Sequence, residues 1–489
     1  MKLSTLGVVG AGPMGCGIAQ TGLAAGLTVV LHDVSGEALT KASGEILARL
    51  ARLEEKGQLA RGCAAEARAR LQAGPDLSAL APCELVIEAV IERLDVKQTL
   101  FAQLEAVVAP ETVLATNTSS LSVAAIASRC AHKERICGLH FFNPVPLMKL
   151  VEVIAAPDTS SATLGRAEEA ARLIGKVPVQ VRDAPGFLVN LQGRAYALEG
   201  LAIAHEGVAD PATIDRVMRD GAGFRMGPFE LMDLTGIDVN YAATTYIYEG
   251  YQHEPRLKTT PLHQLMANCG RFGRKTGRGF FDYSAGAEFS PAPPPAAGAR
   301  TLRPRLIEPG PPWDPLIAAT GLEPGHDADL IAPIGEDCAT ACHRLGLDPA
   351  RTVAVDLTAV GVRHLTLMSA IGGSQRAIEV AEWLRGKGFK VEVIADSPGF
   401  ILQRMLAMVA NLGCELAQIG ISTPENIDLA MKLAQNYPRG PLEWAQWLGV
   451  GKVYEIMRQL QMITGSDRYR PSLWLRRRAL LGLPAHAVA

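Results

Sequence analysis

A chain of 489 residues has room for two to four domains of ordinary size, and 48% hydrophobic with 20% charged residues is the composition of a folded globular protein. The formal net charge of −2 argues against a nucleic-acid partner, which would call for a basic excess. No stretch approaches the ~18 consecutive apolar residues of a membrane span, and nine scattered cysteines fit a reducing compartment, so a soluble cytoplasmic protein is expected.

Leu6–Val9 reads as a strand running into glycines. A small-residue helix follows to about Ala25, where Gly26 can end it. Leu27–His32 is the next strand, and a charged, alanine-rich stretch from about Ser35 to Leu71 reads as one long helix. Leu85–Ile87, Thr112–Ala115 and Ile136–Phe142 read as strands, with a helix over Asp95–Val108, and the character of the chain changes after Val177–Arg182. This alternation predicts an α/β fold, a doubly wound Rossmann-type sheet over residues 1–182. Residues 183–284 read as an all-helical domain closed by GRFGRKTGRGFFDY. AGAEFSPAPPPAAGAR, at 285–300, reads as a linker of low complexity.

The chain then repeats itself. DAPGFLVN at 183–190 returns as DSPGFILQ at 396–403. In the same ungapped frame Pro211–Asp215 matches Pro424–Asp428, Met218 matches Met431, and Gly227-Pro228-Phe229-Glu230 matches Gly440-Pro441-Leu442-Glu443. Residues 396–489 are therefore expected to be a second copy of the helical domain. Residues 285–395 would hold the linker and a degenerate Rossmann-like segment. In it Arg303–Pro311 resembles the opening strand and turn, with Glu308 in the place of Gly10 and Trp313 in that of Gly15.

Gly10-Ala11-Gly12-Pro13-Met14-Gly15 is a G-x-G-x-x-G between a strand and a helix. Its glycines permit a tight turn, close approach of backbone to a pyrophosphate, and close helix–strand packing, and the helix N-terminus offers N–H groups to the phosphates. Asp33 ends the second strand, past the helix that Gly15 opens, where a carboxylate accepts the ribose hydroxyls and repels a 2′-phosphate. NAD is the expected cofactor. A bare tight turn with Asp33 as a helix cap is the bland alternative.

Oxidation of an alcohol needs a hydride acceptor and a base, for which histidine is the usual choice. His140 ends the apolar strand ICGLHFF, on the side of an open sheet where ligands bind. Glu152 lies in another apolar run, KLVEVI, where an unpaired carboxylate would be costly. A His140–Glu152 pair satisfies both, the carboxylate orienting the ring and stabilising its protonated form. Ser119, in Asn117-Thr118-Ser119-Ser120 after a strand, can reach a substrate oxygen, and Asn190 is either a substrate contact or a helix-end hydrogen bond. Cys338, Cys342 and His343 form too weak a pattern for zinc, and Arg476-Arg477-Arg478 reads first as a solvated helix face.

VIEAVIERLDVK (86–97), TNTSSLS (116–122), GLHFFNPVPLMKLVEVI (138–154), PGFLVN (185–190), GPFELMDLTGID (227–238) and GRKTGRGFFDY (273–283) together resemble the 3-hydroxyacyl-CoA dehydrogenase family. The second half is similar to the extra domain of longer bacterial members linked to phenylacetate breakdown. The resemblance implies NAD-dependent oxidation of an (S)-3-hydroxyacyl-CoA, with His140 as base, Glu152 as its partner, and Ser119 and Asn190 at the reacting end. It implies cofactor contacts from Gly10, Gly12, Pro13, Met14, Gly15, Asp33, Glu92, Lys97, Asn117, Ser119, Asn143 and Lys275, and CoA contacts from Lys56 and Ser119. Leu191 departs from the family pattern, which has an arginine after Asn190. The acyl chain is open between 3-hydroxyadipyl-CoA, for whose carboxylate Arg194, Arg225 and Arg274 are candidates, and 3-hydroxybutyryl-CoA.

An ungapped repeat sets Val353, Leu365 and Gln403 against His140, Glu152 and Asn190, so one active site per chain is expected. The two helical copies are expected to pack as an intrachain pseudo-dimer, and a homo-oligomer remains compatible with that. A dehydrogenase of free β-hydroxy acids and a non-catalytic dinucleotide-binding subunit are the competing readings.

Overall fold

A computed structural model describes residues 3–284 and 301–488, so the linker expected at 285–300 lies outside the described residues. The chain divides into two compact units: residues up to Val189 with Gly420–Asn426, and Asn190–Ile419 with Ile427–Ala489.

The first unit is built on β1 (Thr5–Val9), β2 (Thr28–His32), β3 (Leu71–Gly74), β4 (Leu85–Glu88), β5 (Val113–Thr116), β6 (Ile136–Phe141), β7 (Leu150–Ala155) and β8 (Val177–Arg182). Their order is β3-β2-β1-β4-β5-β6-β7-β8, all parallel except β6 against β7. Apolar strands such as TLGVV and TVVLH are buried along nearly their whole length, as parallel strands covered on both faces must be. Leu6, Val8, Ile18, Leu23, Val29 and Leu31 form the centre of the core. The chain reverses direction across the sheet between β1 and β4, the switch point beyond whose carboxyl ends a doubly wound sheet binds its ligand.

The helix expected over Ser35–Leu71 is two helices, Gly36–Glu55 and Cys63–Arg70, followed by β3. Gly57 (φ +70) and Gly62 (φ +93) occupy the break, in a left-handed conformation that a continuous helix does not allow.

The second unit carries a smaller sheet: β9 (Arg305–Leu306), β10 (Asp329–Ile331), β11 (Thr352–Asp356), β12 (His364–Met368) and β13 (Lys390–Val393), in the order β13-β12-β11-β10-β9. Again one pair, β11 against β12, is antiparallel and the others are parallel. That succession reproduces β4 to β8. The spacing agrees, since the chain from the start of β5 at Val113 to that of β6 at Ile136 is as long as the chain from Asp329, opening β10, to Thr352, opening β11. β9 thus stands where β4 stands, and the likeness of Arg303–Pro311 to the opening strand is corrected. Among the described residues the second sheet has no counterpart of β1, β2 or β3, the part of the first sheet that carries the glycine-rich turn.

Sheet register also corrects the mapping of the site. His140 faces Glu152 across β6 and β7, two positions past the Thr116–Gly138 pair. Asp356 faces Thr366 across β11 and β12, two positions past the Ile331–Ala354 pair. The residues standing in the places of His140 and Glu152 are therefore Asp356 and Thr366, not Val353 and Leu365. Loop-length changes between the strands shift the frame. The assignment of Gln403 to the place of Asn190 is unaffected, and Gln403 donates to Asp356 at 3.1 Å.

The helical copies repeat their local geometry. Asp215 accepts the backbone N–H groups of Phe229 and Glu230, and Asp428 those of Leu442 and Glu443, so each carboxylate caps a helix that opens with Gly-Pro. Phe224 meets Tyr437, its own counterpart in the repeat, edge to face at 5.0 Å between ring centres. Buried Glu199, on the helix Val189–His205, is bonded by Arg404 and Arg468 of the second copy, and Tyr469 donates to the same carboxylate.

Candidate active site

The glycine-rich turn fits a dinucleotide by its clearances. A Cβ on Gly15 would lie 1.8 Å from the Gly10 carbonyl oxygen, and one on Gly10 would lie 2.5 Å from that of Ala89 at a φ of +108. Neither position admits a side chain. A Cβ on Gly12, by contrast, would meet nothing within 4 Å, which leaves the backbone there open to a close-lying group. Gly12 is the N-cap and Pro13 the first residue of the helix Pro13–Ala24, whose first turn carries no side-chain cap, so N–H groups point at the place a pyrophosphate takes. Asp33 accepts from the Ala11 and Ser35 backbone N–H groups at 2.8 and 3.0 Å, which holds the turn against the end of β2. With Gly10, Gly12, His32, Ala89 and Val90 it lines a cavity of about 640 Å³, large enough for a nucleotide.

His140 and Glu152 are neighbours because β6 and β7 are antiparallel in a sheet that is otherwise parallel. His140 Nδ1 lies 2.6 Å from Glu152 Oε2, with both residues buried. The other oxygen, Oε1, accepts the backbone N–H groups of Leu188 and Val189 at 3.1 and 2.9 Å. The carboxylate is thereby fixed by three donors, and its cost of burial is met by hydrogen bonds. The imidazole is packed by Phe142 and Phe187, at 4.5 and 5.8 Å between ring centres. One face of the ring is thus held apolar while Nδ1 is committed to the carboxylate, leaving Nε2 for proton exchange.

Between the glycine-rich turn and His140 lies a polar network. Glu92 Oε1 accepts from Thr118 Oγ1 (2.5 Å), Ser119 N (3.1 Å) and Ser120 Oγ (2.9 Å), which shapes the loop that carries Ser119. Burial works to raise the Glu92 carboxyl. The Lys97 ammonium and the hydroxyl donors outweigh it and hold the group below the usual carboxylate range. Lys97 is buried beside this network: its side chain is 1% exposed, and its ammonium sits 2.7 Å from Glu88 and 3.0 Å from Glu92. What faces outward is Glu92. Asn117 Oδ1 accepts the Phe141 N–H at 2.8 Å, tying the end of β5 to the end of β6 beside His140.

Three supporting residues escaped the sequence reading. Glu88 anchors Lys97 and accepts from Thr116 Oγ1 at 2.6 Å. Lys176 donates to the Val145 and Met148 carbonyls, pinning the loop after Phe142. Asp183 accepts from Ser122 Oγ and Ala124 N and so caps the short helix Val123–Ile126 behind Ser119. Glu88 and Lys176 are charged residues in apolar runs, the same signal that marked Glu152, whereas Asp183 follows Arg182 and carries no such signal.

The remaining candidates are spread more widely. Met14 is half-buried behind the turn, and Asn143 and Ser119 are exposed. Lys56 is the exposed C-cap of Gly36–Glu55, where a lysine also suits the helix end. Asn190 and Lys275 belong to the second unit; Lys275 is ion-paired with Asp238 at 2.5 Å. Arg225 and Arg274 are exposed, whereas Arg194 is buried. Arg478 stacks on Trp474 and donates to the Ala487 carbonyl, and Arg476 and Arg477 are exposed. Cys338 and Cys342 are buried at 3.9 Å between sulfurs, with His343 exposed.

Comparison with known proteins agrees with this geometry. Residues 5–184 match the 3-hydroxyacyl-CoA dehydrogenase NAD binding domain, and the C-terminal domain of the same family matches twice, at 186–283 and 399–486. The chain is 38% identical to a 3-hydroxyadipyl-CoA dehydrogenase of Escherichia coli K12 over 98% of both chains. It is 39% identical to a probable 3-hydroxybutyryl-CoA dehydrogenase of Deinococcus radiodurans, over 57% of this chain and 99% of that one. The crystal structure of a 3-hydroxybutyryl-CoA dehydrogenase from E. coli K12 superposes with a TM-score of 0.89 at 38% identity, covering 98% of this chain and 99% of that one. No helix among the described residues is long and apolar enough to cross a membrane. With both of its domains matched, one of them twice, the chain belongs to the 3-hydroxyacyl-CoA dehydrogenase family and is an NAD-dependent oxidoreductase.

Proposed function

We propose that the first unit's His140–Glu152 pair is the acid–base centre of a dehydrogenase whose preferred substrate is a 3-hydroxyacyl-CoA ending in a carboxylate, of the 3-hydroxyadipyl type. The observation that carries the acid–base assignment is the 2.6 Å contact between His140 Nδ1 and a Glu152 carboxylate that is itself held by two backbone N–H groups. NAD, when bound, supplies the acceptor for the hydride leaving C3. His140 Nε2 takes the hydroxyl proton, and Glu152 stabilises the imidazolium that results and keeps the ring from turning. Ser119, on the loop fixed by Glu92, and Asn190 orient the reacting oxygen. Gly10, Gly12, Pro13, Met14, Gly15 and Asp33 hold the adenosine and pyrophosphate end, with Glu92, Asn117, Asn143 and Lys275 at the other end and Lys56 toward the CoA phosphates. The carboxylate-ended substrate is supported by likeness to the 3-hydroxyadipyl-CoA enzyme over the full length of both chains. 3-Hydroxybutyryl-CoA, named for the superposed E. coli structure, is the alternative.

The repeat forms a pseudo-dimer in this reading. A residue touching its own repeat copy, as Phe224 touches Tyr437, is what a two-fold axis produces. About that axis the counterpart of Glu199–Arg404 is Leu412–Leu191, in the same ungapped frame, and both leucines are buried. One of two equivalent ion pairs is kept and the other is replaced by an apolar pair. That accounts for Leu191, where the family has arginine.

The test follows NADH formation with purified protein, NAD and either (S)-3-hydroxybutyryl-CoA or 3-hydroxyadipyl-CoA. Turnover of both, higher kcat/KM for the second, and a ~10³-fold loss in His140→Ala are expected. Turnover unaffected by His140→Ala would overturn the assignment of the base.

A further inference from the structure

Arg194 stands out in the second unit as a buried cation with no anion. It is 7% exposed, and its partners are all neutral. Nη1 donates to the Asn240 carbonyl, to Asn240 Oδ1 (2.9 Å) and to Thr244 Oγ1 (2.7 Å), and Nε donates to the Asn190 carbonyl. A buried guanidinium is normally matched by a carboxylate, because desolvating an unpaired charge is expensive. Elsewhere in the same unit that rule is kept: buried Arg404 has Glu199 and Glu206, and Arg256 has Glu254 and Glu415.

The surroundings of Arg194 are also short of partners. His263 Nε2, on a fully buried ring, and the Tyr437 hydroxyl are both buried without a hydrogen bond. The charge of Arg194 acts on both: burial first, then Arg194, holds His263 down at about 4. Burial likewise lowers Arg194 itself to about 10, since only the weak influence of Tyr437 opposes it. Asn240 is half-buried, so the cluster lies just beneath the surface of its helix. Arg194 also sits one turn after Asn190 on the helix Val189–His205, on the same face. One turn rises ~5.4 Å, close to the roughly 4 Å that three carbon–carbon bonds place between C3 and the terminal carboxyl of a six-carbon diacid chain.

We infer that Arg194, positioned by Asn240 and Thr244, is the residue that selects acyl-CoA chains ending in a carboxylate, with the His263 and Tyr437 polar atoms facing the same anion. This rests on the proposed reaction and names the group that would set its substrate class. Arg225 and Arg274 are less suited, since an exposed arginine is solvated and discriminates weakly between a carboxylate and a methyl end.

The experiment measures kcat/KM for 3-hydroxyadipyl-CoA and for 3-hydroxyhexanoyl-CoA, which has the same length and a methyl in place of the carboxylate. It uses wild-type protein, Arg194→Met and Arg194→Gln, the second keeping a polar partner for Asn240 and Thr244 should the first fail to fold. The wild type is expected to favour the diacid chain, and the ratio of the two constants should fall about 10²-fold in either variant. Equal losses on both substrates, or an unchanged ratio, would overturn the inference and mark Arg194 as a packing residue. A wild type that turns over neither compound would instead remove the proposed reaction, and one that prefers the hexanoyl chain would remove the diacid substrate.

Discussion

The two α/β lobes of this chain use the same run of strands, each with a single antiparallel pair, and differ in what that pair holds. In the first, His140, packed by two aromatic rings, faces Glu152, which accepts two backbone N–H groups. In the second, Asp356 faces Thr366, and Gln403, in the place of Asn190, donates to it. Burial raises the Asp356 carboxyl, against the pull of the hydrogen bonds from Thr358 and Gln403. The second lobe also lacks, among the described residues, the three strands that would frame a glycine-rich turn. Packing positions tolerate conservative exchange and persist. A proton-transfer pair needs two particular side chains in one register, and it is lost when either changes.

Substitutions can sharpen that contrast. The largest effect on turnover after loss of His140 is expected from Glu152→Gln. It keeps the shape but gives up the charge that stabilises the imidazolium, so kcat should fall about 10²-fold or more, measured as NADH formation at saturating substrate. Asp356→Asn should leave kcat within about twofold in the same assay, and a loss as deep as that of Glu152→Gln would place chemistry in the second lobe.

Between the helical copies the contrast is one of stability. Glu199→Ala leaves Arg404 and Arg468 facing a buried gap, and should cost about 3–5 kcal/mol in denaturant unfolding of the whole chain. The double change Glu199→Leu with Arg404→Leu, which copies the Leu191–Leu412 pair, should recover part of that. No recovery would argue against equivalence of the two pairs.

A smaller effect comes from His263, fully buried with its pKa depressed to about 4, whereas its repeat counterpart, Arg476, is exposed. An unfolded histidine near 6.5 binds its proton before the folded one does. Stability from this residue is therefore complete above about pH 6.5 and is lost as pH falls toward 4, by roughly 3 kcal/mol. His263→Gln should flatten the difference in unfolding midpoint between pH 7 and pH 4.5. An identical slope in the variant would remove His263 as its source.

Much of this was legible in the sequence. Gly10, Gly12 and Gly15 between strand and helix, His140 in the apolar run ICGLHFF and Glu152 in the run LVEVI carry their meaning locally. The helical repeat was readable because it runs without a gap. What failed was anything needing register across loops. Asp356 stands for His140, Thr366 for Glu152 and Gln403 for Asn190, each pair separated by a different length of chain, so a single frame pointed to Val353 and Leu365. The break at Gly57–Gly62 was hidden inside a long helix-favouring composition. The inward turn of Lys97 toward Glu88 depends on a tertiary ion pair that spacing does not reveal.

With a single glycine-rich turn of this type, the duplicated chain should hold one cofactor. The most direct test is calorimetric titration of NAD into the full-length protein at known chain concentration. One NAD per chain, with binding abolished by Gly15→Val, is the predicted result. Two NAD per chain, or one that survives Gly15→Val, would contradict it.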